Sequence, residues 1–139
     1  MKQAQHGFQV QTRGPGLYEV TEEVSAWARA QGMECGLLTL FCRHTSASLV
    51  IQENADPDVR RDLDEFFRRL VPENAGWIRH TVEGPDDMPA HIKGALTQVS
   101  LSIPVSEGRL ALGTWQGVYL FEHRSRAHLR TLVAHLAGE

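Results

Sequence analysis

Between His44 and Asn54 the side chains alternate in chemistry with a period of two, which commits this stretch to an extended strand. His44, Ser46, Ser48, Gln52 and Asn54 fall on one face, and Ala47, Leu49 and Ile51 on the other. The second face can join a core. The first carries an imidazole, hydroxyls and amides, and it is either the wet side of an antiparallel sheet or the floor of a site. Asp56-Pro57 then forces a change of structure, because the carboxylate can cap free amides and proline fits the first helical turn. In the predicted helix Val59, Leu63, Phe66, Phe67 and Leu70 share an apolar face, while Asp64 with Arg68 and Glu65 with Arg69 pair on the wet side. Such pairs contribute about 0.2–0.5 kcal/mol each, so burial of the apolar face has to hold the helix down.

The rest of the chain divides between short strands and two more helical stretches. Phe8 to Arg13 reads as a strand broken by Gly14-Pro15-Gly16. A helix follows with Thr21 as its N-cap, Glu22 and Glu23 in the first turn, Val24, Trp27 and Ala28 as its apolar stripe and Gly32 as its stop. Leu37 to Arg43 and Trp77 to Val82 read as strands, and a short helix begins near Met88-Pro89. Gln98 to Val105, Arg109 to Leu112 and Val118 to His123 read as strands too, with Glu107-Gly108 suited to a hairpin. Leu129 to Leu136 fits a strand or one face of a helix. The sum is a single α+β domain with a mostly antiparallel sheet or sandwich and two or three helices.

A chain of 139 residues with 42% hydrophobic and 22% charged residues can bury a real core and lies near the globular average. The net charge of -3 gives no sequence-wide attraction to nucleic acid. No apolar run approaches the roughly 20 residues that span a bilayer, and no signal-like stretch follows Met1, so the expected location is the cytoplasm, away from membranes. Cys35 and Cys42 lie in one apparent strand roughly 23 Å apart, beyond disulfide reach, and are expected to be small core residues.

Two further polar blocks accompany the first. One is Glu83-Gly84-Pro85-Asp86-Asp87-Met88-Pro89-Ala90-His91-Ile92-Lys93; the other is Gly113-Thr114-Trp115-Gln116-Gly117 followed by Glu122-His123-Arg124. Together the three blocks, in this order and spacing, resemble the YjbQ-like family of small bacterial and archaeal proteins, and the resemblance spans residues 1–139 as one domain. It implies a strand over Leu129 to Leu136, a homotrimer, and a secondary thiamine-phosphate synthase activity joining a pyrimidine diphosphate to a thiazole phosphate. Dedicated thiamine-phosphate synthases use a (β/α)₈ barrel of about 250 residues, for which this chain is too short.

On that reading Thr45, Ser46, Ser48, Asn54, Thr114, Trp115, Gln116 and Arg124 are candidates to bind a small phosphorylated molecule. The hydroxyls also suit bonds to their own backbone, and Trp115 is either a stacking platform for a heteroaromatic ring or a core residue. Asp56, Glu122 and His91 are the candidate catalytic groups. Glu122 follows Val118 and Leu120 on one strand face, so it should point inward and need a partner, with Arg124 or His123 expected to supply it. His44, His91 and His123 are candidate ligands for a divalent transition metal, and separately the carboxylates Asp56, Asp58, Glu83, Asp86 and Asp87 could hold Mg²⁺ through waters and substrate phosphates. Asp56 and Asp87 also sit where helix N-caps are expected. A metal-dependent hydrolase or transferase on another phosphorylated molecule, and a non-catalytic trimeric ligand-binding protein, are the competing readings.

Overall fold

Antiparallel pairing organises the chain into two sheets. The computed structural model describes all 139 residues, in the order β1 (Lys2–Gln11), β2 (Gly16–Glu19), α1 (Thr21–Ala30), β3 (Cys35–Cys42), β4 (Ala47–Glu53), α2 (Pro57–Leu70), α3 (Asp87–Leu96), β5 (Ser100–Ser106), β6 (Arg109–Leu110), β7 (Gln116–Glu122) and β8 (Leu129–Gly138). The larger sheet has the order β1-β8-β3-β5-β6 and the smaller one β2-β7-β4, with every pairing antiparallel. The architecture is α+β, as expected, and no helix is long and apolar enough to cross a membrane.

One face of each sheet meets the other in a common core. Leu38 and Leu40 of β3, Leu101 and Ile103 of β5, and Leu132, Ala134 and Leu136 of β8 pack with Ala47 and Leu49 of β4 and with Val118 and Leu120 of β7. Val24 and Ala28 close one side from α1. The strict alternation of buried and open positions along β5 shows the period-two rule at work. In β8 the same alternation settles the ambiguous last run as a strand. β7 is buried on both faces: Tyr119 and Phe121 turn away from the core towards α2, where Phe67 meets Phe121 edge-to-face at 5.4 Å.

Several expectations need correction. Trp77 to Val82 forms no strand; Trp77 and Val82 are exposed, and the segment is held instead by local turns and by His80, which reaches α3. Arg109 to Leu112 pairs only over Arg109–Leu110. Thr21 opens α1 without capping it, since its hydroxyl donates to Glu19 Oε2 at 2.8 Å and accepts from the Val118 amide at 2.8 Å. Cys42 is a core residue but Cys35 is exposed. No residue of α2 is fully buried: Leu63 and Phe67 rest on the smaller sheet, while Phe66 and Leu70 face outward, 56% and 53% exposed. The expected hairpin is present, with Glu107 and Gly108 both at positive φ, 52° and 74°, between paired Ser106 and Arg109.

Candidate functional site

The first and third polar blocks meet at both ends of the β4–β7 pair, and the register decides which residues share an end. Ala47 lies opposite Glu122, and Glu53 lies opposite Gln116. Six steps of strand separate these ends by about 20 Å. Thr45, Ser46, Ser48, Glu122, His123 and Arg124 therefore gather at one end, joined by α3 with Asp87 and His91. Asn54, Asp56, Thr114, Trp115 and Gln116 occupy the other.

The second end is a tight turn over an open surface. The Asn54 amide donates to the Trp115 carbonyl at 3.0 Å, and the Gly113 amide to Gln116 Oε1 at 2.8 Å. A Cβ on Gly117 would lie 2.8 Å from Glu19 Oε2 and 3.0 Å from the Asn54 Cβ, so glycine is needed there for close approach. Trp115 is 62% exposed and stacks on no other ring, which sets aside the core reading. Asp56 caps α2, accepting from the Asp58 amide at 2.9 Å.

At the first end the polar face of β4 is not wet. Ser46 and Ser48 are buried, and Glu122 is fully buried. The partner of Glu122 is Arg130 of β8, rather than Arg124 or His123: Arg130 Nε donates to Oε1 at 2.8 Å and Nη2 bonds Oε2. Thr12 Oγ1 donates to Oε1 at 2.7 Å, and the amides of His123 and Arg124 donate to Oε2 at 3.1 and 3.2 Å. Burial alone would raise the Glu122 carboxyl, but the bonds from Arg130 and Thr12 outweigh it and hold the group below its ordinary range. With both oxygens so engaged, Glu122 is an anchor tying the two sheets together, and it offers no face to a substrate. Arg130 Nη2 also donates to Ser46 Oγ at 3.0 Å, which ties the start of β4 to the same knot.

His123 continues the strand into the site. Its Nε2 lies 2.8 Å from Ser48 Oγ, and Thr97 Oγ1 donates to that same hydroxyl at 2.6 Å. Its Nδ1 is buried with no partner. Burial, helped by the charge of Lys93, pushes the imidazole down to about 3, so it is neutral.

The second block supplies a charged cluster. Asp87 is the first residue of α3 but caps nothing; its buried carboxylate has His80 Nε2 at 2.7 Å and His91 Nε2 at 2.9 Å from Oδ2, and receives Arg124 Nη1 at 2.8 Å on Oδ1. Arg124 is fully used, with Nε on Asp86 Oδ2 at 2.9 Å and Nη2 on the Glu83 carbonyl at 3.0 Å. Burial would raise the Asp86 carboxyl, but Arg124 and Ser125 hold it well below the usual range. His44, His91 and His123 do not form a common ligand set: His44 Nε2 accepts from the Thr131 amide at 2.8 Å, and His123 is spent on Ser48. The three groups that do converge are His80, Asp87 and His91, whose donor atoms all lie within 4.8 Å of one another.

A groove runs past this cluster between α2, α3, β2 and β7. Its apolar part, about 460 Å³, is lined by Leu17, Val50, Ile51, Leu63, Phe67 and Phe121, with Thr97 at its margin. Its polar part, about 330 Å³, is lined by the cations Arg68 and Lys93, the acids Glu73 and Asp86, and His123 and Ser125, with Pro15 and Pro89 at its walls. The two parts are neighbours, because Pro15 and Leu17, Phe67 and Arg68, Lys93 and Thr97, and Phe121 and His123 are each a step or a helical turn apart. Lys93 is half-buried, makes no hydrogen bond or ion pair through its ammonium, and is pushed down by burial. Lys93 closes the second polar block without having been singled out as a site residue, and Arg130, Thr12 and Thr97 lie outside all three blocks.

Comparison with known proteins agrees on one family. Residues 6–139 match the family described as UPF0047 protein YjbQ-like. A UPF0047 protein of Synechocystis is 52% identical over 99% of this chain and 94% of its own, and UPF0047 protein YjbQ of Salmonella typhimurium is 47% identical over 89% and 90%. A crystal structure of a hypothetical protein from Aeropyrum pernix superposes with a TM-score of 0.89 at 32% identity, covering 98% of this chain and 99% of that one.

Proposed function

From the chain's membership of the YjbQ-like UPF0047 family, whose name carries no reaction, we propose that it is an enzyme acting on a small phosphorylated molecule, in the manner of a thiamine-phosphate synthase. The observation that carries this reading is Lys93: a half-buried cation in no direct ion pair, beside Arg68 and Ser125 with Glu73 and Asp86 further off, at the polar end of a groove whose other end is apolar. An ammonium withdrawn from water without a partner is costly, and a bound anion removes that cost. A phosphate at Lys93 would leave the ring or carbon body of the same molecule against Phe67 and Phe121.

In the proposed reaction the thiazole nitrogen bonds to the pyrimidine methylene carbon while the carbon–oxygen bond to the diphosphate breaks. Pyrophosphate leaves with the bonding electrons, and the ring nitrogen becomes cationic. The physical needs are a positive group on the leaving oxygens and a dry surface for the rings. Lys93, Arg68 and Ser125 suit the first and the apolar part of the groove suits the second.

Replacing Lys93 by Met should weaken inorganic pyrophosphate binding about 10- to 100-fold, the range of a lost hydrogen bond to a charged group, without lowering the urea midpoint. Titration calorimetry reads the first and denaturation the second. Unchanged binding in the variant would overturn the phosphate assignment. Formation of thiamine phosphate from the two heterocycles with Mg²⁺ tests the reaction itself; binding without turnover would favour a ligand-binding protein.

Assembly belongs to the same proposal. Phe66 and Leu70 leave α2 with an uncovered apolar face, and β2 and β4 are sheet edges, the latter bridged only at Leu49 to Gln98. Association as a trimer would bring Asn54, Trp115 and Gln116 of one copy towards the groove of another. Light scattering on the eluting protein should give three times the chain mass, and a monomer would remove that role for the far-end residues.

A further inference from the structure

We propose that His80, Asp87 and His91 form a centre for one divalent transition-metal ion, separate from the phosphate end of the groove. Asp87 and His91 stand one helical turn apart on α3 and so share a face, and His80 reaches them from the irregular segment before the helix. Both imidazole Nε2 atoms lie against the same carboxylate oxygen, at 2.7 and 2.9 Å. Small outward shifts of these groups would place all three donors at the roughly 2.0–2.2 Å that zinc-class ions require.

The hydrogen bond on the far side of the His91 ring supplies the independent argument. Its Nδ1 lies 3.0 Å from the Thr45 carbonyl oxygen. A carbonyl only accepts, so Nδ1 carries the hydrogen. In a neutral ring Nε2 then presents a lone pair, and it presents it to a carboxylate oxygen that also has only lone pairs. Two acceptors at 2.9 Å repel unless a second ring proton or a metal ion lies between them. A metal ion satisfies both at once, and an imidazole fixed by a backbone carbonyl on one nitrogen while the other faces the ion is the usual outer support of a metal ligand. Asp87 is supported in the same way, since Arg124 holds its other oxygen.

Charge and access agree. Glu83, Asp86 and Asp87 cluster about Arg124, so carboxyl groups outnumber the guanidinium that holds them. The His80 and His91 side chains are 37% and 31% exposed while Asp87 is 2% exposed, so the centre opens to solvent on its imidazole side and leaves coordination positions for water or substrate. Two imidazoles and one carboxylate favour zinc, iron, manganese, nickel or copper over Mg²⁺.

The test is elemental analysis of untagged protein, followed by Zn²⁺ calorimetry and Co²⁺ absorption on metal-stripped protein. His80→Ala and His91→Ala are compared with His135→Ala, whose ring lies on β8 and bonds only Gln5. The expected result is one ion per chain, with affinity reduced at least ~100-fold in each of the first two variants and unchanged in the third. Urea midpoints separate loss of the site from loss of the fold. Absence of binding at 100 μM added Zn²⁺ and Co²⁺, or equal affinity in all three variants, would overturn the proposal.

Discussion

Arg130→Met should lower the unfolding free energy by roughly 3–5 kcal/mol, the cost of leaving a buried charge without its partner. Glu122 is fully buried, and Arg130 is 5% exposed at its side chain, so no water can replace the guanidinium. Thr12 and two backbone amides would still bond the carboxylate, but they bring no charge. Urea denaturation at pH 7 measures the loss. A double variant, Glu122→Leu with Arg130→Met, should recover much of it, because two apolar groups leave no charge to desolvate. A single-variant loss under 1 kcal/mol would mean that Glu122 takes up a proton or finds water, and the pair would then not be the tie between the sheets.

Acid should destabilise the protein from pH 6.5 downward, and His123 sets the start of that loss. Its imidazole is buried among Phe121, Ser48, Lys93, Glu122 and Arg130 and is pushed down to about 3, whereas in the unfolded chain it takes a proton near pH 6.5. Between those values the unfolded state binds a proton that the folded state refuses, so stability is intact above about pH 6.5 and falls as pH drops towards 3. At pH 5 the loss from this residue alone is about 2 kcal/mol. His44, lowered by burial and by Arg130, acts in the same direction. The carboxylates Asp86, Asp87 and Glu122, all held low, lose their contributions only in more acid solution. His123→Gln should therefore flatten the stability profile between pH 6.5 and 4.5 and leave the steeper acid limb. An unchanged profile in that variant would show that the ring protonates in the folded protein.

Local pattern made much of the frame legible, because alternation and turn chemistry act within a few residues. The β4 block, the β5–β6 hairpin and the helix starting at Asp56-Pro57 all follow from neighbours in sequence. Inward pointing of Glu122 was readable for the same reason. Its partner was not, since Arg130 lies in a run whose leucines fit a helix face as well as a strand. Read with period two, Arg130 shares the inner face with Leu132, Ala134 and Leu136, and that was the signal available. Asp87 was read as a cap because it opens a helix, while its carboxylate turns instead to two histidines and an arginine brought by other segments. The division of Asn54, Trp115 and Gln116 from His123 and Arg124 came from the β4–β7 register, which no single segment encodes. α2 gave the clearest physical mismatch: its apolar face is real, but one chain offers too little surface to cover it.

β8 pairs along one side with β1 and along the other with β3, so the last strand of the order is the second in the sheet. During synthesis β1 and β3 leave the ribosome long before the strand that joins them. Their closure must absorb the entropy of the whole intervening chain before any ladder bond forms in return, the circumstance that slows folding in topologies of high contact order. Glu122 waits on the same event, since its counterion travels on β8. Arrival of that strand thus joins β1 to the rest of the sheet and neutralises the buried charge together.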